Sequence, residues 1–433
     1  MRIGSKKIIF FLFSYYLCLD PILYMLSCYF TKGNIFGNSI FLSLFYLEQV
    51  VFVSTILLIL GRNINVGKYL NYHTKWAFIL FIWMCFVIMA SYFDVGLSYF
   101  GQYYSFSNII VGRGFSFILL GLNIHVLNDM FQGGKTRLTF YTITTIYFAF
   151  ILLSTILNPL ADVYPWYLDG ITRTTLHALD HPESKFDYLY ISNTVALLLL
   201  FIMSRVKNIS VKLLIIIFGS YLILLSGSRA ALACFAAAGI INCTILFLRH
   251  QRNTRRLLSA TIASIFITLA IVYGPLLDDQ VNVVYGEKYR FNPYTLAQSD
   301  EAYHLRGVLF EAGLQELQEV WIFGRYMSDV VEGRSGTYIH NWLSFWTNFG
   351  IGPFLLSVIL IISALYKSTR QFLEDSNSPV NELLFLWSIY MIMLIVVARS
   401  HEYYYIWFIL LGSAVINRRF TSKSVHMLSP SKT

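Results

Sequence analysis

Residues 76–96 have the sequence WAFILFIWMCFVIMASYFDVG, in which Asp94 is the one charged residue. An α-helix needs about 20 mostly apolar residues to cross the hydrocarbon core of a bilayer, so this stretch predicts a transmembrane helix. We predict that about twelve such stretches span the membrane, which makes the chain an all-α polytopic membrane protein with a single integral-membrane domain, residues 1–433. The other predicted spans are residues 8–30, 38–60, 108–128, 138–158, 188–204, 210–226, 229–248, 257–275, 350–366, 382–398 and 402–417.

The composition of the whole chain agrees with this prediction. Of the 433 residues, 57% are hydrophobic and 13% are charged. A soluble domain has about 25% charged residues, so this chain has too few to cover a surface that faces water. The composition excludes a soluble enzyme, a disordered protein and a secreted disulfide scaffold. The 5 cysteines lie in apolar runs without metal-ligand spacing, and they indicate neither a disulfide nor a metal site.

The chain has a net charge of +9, and the positions of its Lys and Arg residues indicate how it crosses the membrane. Lys and Arg are concentrated in the cytoplasmic loops of membrane proteins. If the N-terminus lies in the cytoplasm, most of the 32 basic residues fall on the inner side of the predicted spans. This arrangement predicts that both termini are cytoplasmic. It also explains the positive charge without a nucleic-acid partner, and we expect none.

Two predicted outer loops are long enough to have structure of their own. The first covers residues 159–187 and the second covers residues 276–349. Long loops on one side of a membrane protein frequently carry its function. Half of the basic residues on the outer side fall in the second loop, which favours binding of an anionic group there. These residues are Lys288, Arg290, Arg306, Arg325 and Arg334.

The second loop contains a predicted amphipathic helix from Glu301 to Trp321. Its apolar side chains have helical spacing. Arg306 lies on this apolar stripe, where a charge either extends to solvent or meets a counter-ion. We therefore treat Arg306 as a candidate for binding an anion. The stripe consists of Phe310, Leu314, Leu317 and Trp321.

Arg229 lies at the outer end of a predicted span, in the run LLSGSRAA at residues 224–231. Ser228 is the predicted N-cap of the following helix. The helix dipole disfavours a cation in the first turn, whereas the free backbone amides of that turn bind anions. An arginine at this position is explained if a phosphate lies between it and the amides. The alternative is an arginine that extends its side chain to the membrane surface.

His340 and Asn341 lie on the polar face of a predicted helix within residues 338–349, which ends at the glycine-rich run GIGP, residues 350–353. The helix is amphipathic, and we expect it to lie at the membrane interface with its apolar side in lipid. Since His340 belongs to the arginine-rich loop, we treat it as a candidate catalytic residue; the alternative is a solvated polar side chain. The apolar face carries Trp342, Phe345, Trp346 and Phe349.

Several other ionisable residues are candidates for a site. Arg173, the one arginine of the first long loop, and Arg290 are candidates for binding an anion. Arg113 lies within a predicted span, where ionisable side chains are costly and frequently functional. Arg399 and His401 lie together in the last outer turn, and we treat them with Arg113 as candidates for lining a cavity. The acidic residues of the outer loops form no recognisable metal-binding pattern, and we expect no metal.

Three motifs occur in order along the outer loops: SGSRAA at 226–231, LRG at 305–307 followed by WIFG at 321–324, and HN at 340–341 followed by GIG at 350–352. In this order they resemble the O-antigen polymerases and O-antigen ligases, which polymerise and transfer lipid-linked glycans at the bacterial inner membrane. The resemblance covers about residues 190–370. Eight residues separate Asn341 from Gly350, where the ligases commonly have nine, and this difference favours a polymerase.

The resemblance implies a multi-pass protein of the bacterial inner (plasma) membrane that acts on undecaprenyl-diphosphate-linked oligosaccharide at the periplasmic face, with a long, partly helical periplasmic loop. It implies a metal-independent, inverting glycosyl transfer without a cofactor. The expected partners besides this substrate are membrane lipid and a chain-length regulator. Two alternatives stay open: a ligase that transfers the glycan to lipid A core, and a flippase that transports the lipid-linked oligosaccharide.

The resemblance also implies roles for individual residues. His340 would accept the proton of the acceptor sugar hydroxyl, and Asn341 would orient that hydroxyl or the histidine. Arg229 and Arg306 would hold the diphosphate of the donor. Arg173 and Arg290 are the further candidates for contact with this diphosphate.

Overall fold

The computed structural model describes residues 3–23, 72–95, 109–156, 188–225, 228–249, 301–326, 342–397 and 404–415. Within these ranges nearly every residue is helical and no β-strand occurs, which confirms the all-α prediction for this part of the chain. Two π-helical segments, Tyr15–Leu19 and Ile109–Arg113, interrupt the α-helical pattern.

The α-helices are numbered α1 to α13 in chain order. They are α1 (Ile3–Ser14), α2 (Tyr72–Val95), α3 (Gly114–Leu122), α4 (Ile124–Gln132), α5 (Gly134–Ile156), α6 (Tyr188–Arg205), α7 (Ile209–Leu225), α8 (Arg229–Arg249), α9 (Glu301–Val320), α10 (Ser344–Phe349), α11 (Ile351–Glu374), α12 (Pro379–Val397) and α13 (Ile406–Val415).

Four helices of the described residues are long and apolar enough to cross a membrane: α2, α8, α11 and α12. The bent pair α3 and α4 adds a fifth if it forms one span, and α6, α7 and α13 are apolar but shorter. All of these helices coincide with predicted spans. Four or five is far fewer than twelve, so the twelve-span layout stays a prediction. The spans predicted at 38–60 and 257–275 lie outside the described residues.

The span predicted at 108–128 is not one continuous helix. It divides at Asn123 into α3 and α4, which meet at an angle of 66°. The Asn123 side-chain amide donates a hydrogen bond to the Leu119 carbonyl oxygen at 2.9 Å. An asparagine side chain that bonds to nearby backbone offers the chain an alternative to the helical hydrogen-bond pattern, which accounts for a break at this residue.

The outer faces of α2 and α11 carry rows of large apolar side chains at helical spacing. In water such rows would be a costly exposed patch, whereas a lipid environment covers them. This pattern is compatible with a membrane protein. The exposed side chains are Ile79, Ile82, Phe86 and Met89 on α2, and Leu355, Ile359, Ile362 and Tyr366 on α11.

The chain forms two compact units, the first of which comprises residues 1–13, 45–137 and 313–433. Its core is organised around α12. Trp387 of α12 is fully buried, stacks on Phe13 of α1 and packs against Phe408 of α13, with ring centroids 6.5 and 4.7 Å away. Helix α11 packs against both α12 and α2. Aromatic side chains from three helices therefore meet at the centre of this unit.

The second unit comprises residues 14–44 and 138–312. Its helices α6, α7 and α8 pack against one another, and small residues allow the close approach. A Cβ atom added at Gly219 of α7 would lie 2.6 Å from the ring of Phe235 on α8. Hydrogen bonds join α6 to its other neighbours: the Tyr147 and Thr194 hydroxyls lie 2.9 Å apart, and the Tyr190 hydroxyl donates to the Asp20 carboxylate.

Candidate functional site

Gly324 and Gly350 lie against each other where the segment after α9 meets the start of α11. Both have positive φ angles, +71° and +86°, which glycine adopts without steric cost. A Cβ atom on Gly324 would lie 2.5 Å from the backbone nitrogen of Gly350. A Cβ atom on Gly350 would overlap the carbonyl group of Ile322. Each position therefore requires glycine both for its backbone angle and for the contact.

Hydrogen bonds hold the two segments together around these glycines. The Arg325 amide donates to the Thr347 carbonyl at 2.7 Å, and the Ile351 amide donates to the Trp321 carbonyl at 3.0 Å. The indole N–H of Trp346 donates to the same Trp321 oxygen at 2.8 Å. We call this arrangement, formed by residues 321–326 and 346–351, the clasp.

The clasp brings together two of the sequence fragments that carry the family resemblance. WIFG at 321–324 lies on one side and GIG at 350–352 on the other. The predicted helix break is confirmed, because α10 ends at Phe349 and α11 begins at Ile351. The break lies at Gly350 alone. Gly352 and Pro353 belong to the first turn of α11, a position that tolerates proline.

Two of the four side chains on the predicted apolar face of α10, Phe345 and Phe349, are packed inside the first unit and do not face lipid, whereas Trp342 on the same face is 38% exposed. Phe345 and Phe349 are 1% and 0% exposed, and Ser344 and Thr347 on the polar side are also buried. Trp83 of α2 donates its indole N–H to the Phe349 carbonyl at 3.4 Å. An amphipathic pattern predicts an apolar environment for one face, but it does not distinguish lipid from the aromatic interior of a protein.

Tyr326 fixes the other side of the clasp. Its side chain is 2% exposed, and its ring centroid lies 5.6 Å from that of Phe349. In the sequence, the two parts of the clasp lie on either side of residues 327–345. His340 and Asn341 belong to that segment and lie outside the described residues. The sequence attaches them directly to Trp342.

Helix α9 has nearly the predicted bounds, Glu301–Val320, but its apolar stripe is covered unevenly. Leu317 is buried, whereas Leu314 and Trp321 are exposed. Arg306 lies in the second turn of α9. The structure describes its backbone, while the position of its guanidinium group stays a prediction.

Ser228 caps α8, as the sequence predicts. Its hydroxyl oxygen accepts a hydrogen bond from the Ala231 amide at 3.2 Å, and its carbonyl oxygen accepts one from the Leu232 amide at 3.0 Å. Arg229 is the first residue of α8. Its backbone therefore lies at the positive end of the helix dipole. The position of its guanidinium group stays a prediction.

The remaining predicted site residues except Arg113 lie outside the described residues. The proximity of Arg229, Arg306 and His340 therefore stays a prediction. Among the residues that the structure does describe, no group of three or more His, Cys, Asp or Glu side chains is close enough to hold a metal ion. The undescribed site residues are His340, Asn341, Arg173, Arg290, Arg399 and His401.

Arg113 is buried in the first unit, at the end of the second π-helical segment. Its guanidinium donates a hydrogen bond to the Tyr404 hydroxyl at 3.1 Å and lies 5.3 Å from the centre of the same ring. Tyr404 follows His401 by three positions in the sequence. Arg399 and His401 themselves lie outside the described residues, so a cavity that they share with Arg113 stays a prediction.

Sequence reasoning missed the aromatic residues around Arg113. Phe117 packs on both Tyr404 and Tyr405, and Trp407 packs edge-on against Phe81 of α2. The run YYYIW at 403–407 is the available signal, but tyrosine and tryptophan are enriched at the ends of membrane spans in general, so the run does not specify a partner for Arg113.

The two clusters of the first unit differ in chemistry. The clasp is built from backbone hydrogen bonds and apolar rings, so it positions the segments on either side of it. The Arg113 cluster supplies a buried cation and a tyrosine hydroxyl.

No protein-family model matches the chain, and no curated protein matches it.

Proposed function

We propose that this chain is an O-antigen polymerase, which joins undecaprenyl-diphosphate-linked oligosaccharide repeat units at the periplasmic face of the bacterial inner membrane. The twelve-span layout with both termini in the cytoplasm is part of the proposal. The observation that supports it most is the clasp: two fragments of the family pattern, 26 residues apart, meet through Gly324 and Gly350 in an arrangement that only glycine permits.

The clasp provides a rigid support for the proposed general base. A catalytic side chain works best when its own segment is held by packing and hydrogen bonds. In the sequence, His340 and Asn341 lie between the two parts of the clasp, which are joined by the hydrogen bonds from Arg325 to Thr347 and from Ile351 to Trp321. In the proposal His340 accepts the proton of the acceptor sugar hydroxyl, and Asn341 orients it. General-base catalysis typically contributes about 10²–10⁴ in rate.

The arginines hold the leaving group in this scheme. Arg229, at the capped start of α8, and Arg306, on α9, bind the donor diphosphate, with Arg173 and Arg290 as further contacts. Arginine suits this role because its planar guanidinium binds phosphate oxygens through two hydrogen bonds and stays charged.

The proposed reaction is a single displacement at the anomeric carbon of the donor. The acceptor hydroxyl oxygen forms the new glycosidic bond while the bond from that carbon to the diphosphate oxygen breaks. The hydroxyl proton passes to His340, and undecaprenyl diphosphate leaves with the electron pair. A single displacement of this kind inverts the anomeric configuration.

The lipopolysaccharide of a strain that lacks the protein tests the proposal. Loss of a polymerase leaves core oligosaccharide that carries a single repeat unit. Core without any repeat, together with polymer that accumulates on undecaprenol, would show that the chain is a ligase. Accumulation of lipid-linked repeat units on the cytoplasmic side would show that it is a flippase.

A further inference from the structure

Three consecutive apolar side chains project from the clasp. Trp321, Ile322 and Phe323 are 53%, 47% and 70% exposed. Contact of such large apolar groups with water is unfavourable, and a soluble protein rarely leaves several of them together on its surface. An exposed apolar group of this kind therefore marks a surface that lipid or another molecule covers.

Hydrogen bonds hold the backbone of this turn at both ends. The Trp321 carbonyl oxygen accepts bonds from the Ile351 amide at 3.0 Å and from the Trp346 indole at 2.8 Å. After the turn, the Gly324 amide donates to the Val320 carbonyl oxygen at 2.9 Å. The backbone is thus fixed while the side chains of residues 321–323 stay exposed, so their exposure is a property of the fold.

The end of α9 extends this apolar surface. Leu314 is exposed and lies two helical turns before Trp321, so both are on one side of the helix. Leu317, between them, is buried. Glu319 is exposed on the side of α9 away from Leu314. The end of α9 is therefore apolar on one side and polar on the other, as is typical of a helix that lies at a membrane surface.

The turn lies beside the first residues of α11, a helix long and apolar enough to cross a membrane. A Cβ atom on Gly350 would overlap the Ile322 carbonyl group. The exposed side of α11 begins at Gly352 and continues one turn later with Leu355, the first of its row of exposed apolar side chains. The end of a span lies at the lipid headgroup level, where tryptophan is enriched. The apolar turn is thus continuous with the surface of α11 that matches lipid.

We propose that residues 321–323 form a membrane anchor, which inserts into the lipid leaflet at the beginning of α11. Ile322 and Phe323 lie among the upper acyl chains, and Trp321 lies at the boundary between these chains and the headgroups. The occupant of the surface is the bilayer, because the turn adjoins the exposed row of α11 and carries a tryptophan at the end of a span. The anchor does not depend on the proposed glycosyl transfer, so failure of either proposal leaves the other intact.

Fluorescence quenching of the full-length protein in lipid nanodiscs, one copy in each disc, tests the anchor. The 5 native cysteines are replaced by alanine, and an environment-sensitive probe is attached to Phe323→Cys or to the control Glu319→Cys. We expect phosphatidylcholine with a nitroxide near the top of its acyl chain to quench the probe at position 323 and to leave the probe at position 319 unquenched. Aqueous iodide should have the opposite effect. Quenching of the probe at position 323 by iodide would overturn the proposal, and so would protection from both quenchers, which would show that protein covers the turn.

A second measurement keeps the native cysteines and decides the question if the chain without them fails to fold. Brominated phosphatidylcholine quenches tryptophans that contact acyl chains. Trp321→Phe removes one indole but retains the backbone carbonyl that the clasp uses. We expect the brominated lipid to quench a smaller share of the tryptophan emission in Trp321→Phe than in the wild type. An equal or larger share would overturn the proposal, because Trp321 would then contact lipid no more than the average of the 8 tryptophans does.

Discussion

Gly324 and Gly350 occupy mutually dependent positions: each has a positive φ angle, and a side chain on either would collide with the backbone beside the other. Chain segments on both sides are joined by hydrogen bonds from Arg325 to Thr347 and from Ile351 to Trp321. This contact fixes the exit of α9 relative to the start of α11. In the sequence, the proposed catalytic histidine lies between these two parts of the chain.

The clasp glycines should tolerate no side chain. We expect Gly350→Ala to destabilise the protein by about 1–3 kcal/mol from backbone strain alone, with more from the overlap with Ile322, and to abolish polymer formation. Gly352→Ala is the matched control, because a Cβ atom there meets nothing within 4 Å. Thermal midpoints in detergent and lipopolysaccharide banding measure both effects. A Gly350→Ala protein as stable and active as the Gly352→Ala protein would contradict the clasp.

The indole hydrogen bond of Trp346 should contribute measurably to stability. Trp346→Phe removes the donor to the Trp321 carbonyl while the Ile351 amide still occupies that oxygen, so we expect a loss of about 0.5–1.5 kcal/mol. Trp342→Phe serves as the control, since Trp342 is 38% exposed and contacts Phe354 through its ring. Equal unfolding midpoints for the two variants would show that the hydrogen bond has no effect.

Loss of the Ser228 cap should destabilise α8. Ser228→Ala leaves the Ala231 amide without its acceptor, and N-cap replacements of this kind cost about 0.5–2 kcal/mol. Ser228→Thr should retain the cap, because its hydroxyl accepts the same hydrogen bond without placing a charge at this buried position. The order of unfolding midpoints is therefore expected to be wild type and Ser228→Thr above Ser228→Ala. A Ser228→Ala protein of wild-type stability would argue against the cap.

The Tyr404 hydroxyl should contribute more to the stability of the protein than the hydroxyl of an exposed tyrosine does. Tyr404→Phe removes an acceptor from the buried Arg113 guanidinium, and a hydrogen bond to a charged group contributes about 1.5–3 kcal/mol. Tyr221→Phe, at a position 48% exposed, should leave the midpoint unchanged. If the two variants unfold at the same temperature, the hydrogen bond contributes nothing to stability.

The sequence predicts local features of this protein well. Apolar stretches predict the membrane-spanning helices among the described residues, and amphipathic spacing predicts α9 and α10. The residues after Ser228 identify it as a cap, and the glycines at 350–352 predict the break at Gly350. These features depend on neighbouring residues only. For the same reason the bend at Asn123 was missed, since a single polar residue does not alter the mean hydropathy of a span.

Contacts between distant residues escaped prediction. Arg113 and Tyr404 are 291 positions apart, and nothing in either segment specifies the other. The burial of Phe345 and Phe349 was missed because lipid and protein interior select the same apolar side chains. Arg306 and Arg229 were placed correctly on helix backbones, but the function assigned to their side chains depends on a three-dimensional arrangement that periodicity does not encode.

The most direct measurement of the central claim is glycan polymerisation by the purified protein in detergent, supplied with undecaprenyl-diphosphate-linked repeat units alone. We expect the wild type to form long chains and to release undecaprenyl diphosphate. His340→Ala should form none while it retains the wild-type unfolding midpoint, and His426→Ala, in the predicted cytoplasmic tail, should remain active. Full activity of His340→Ala, or a wild-type protein that forms no polymer from this substrate, would contradict the account.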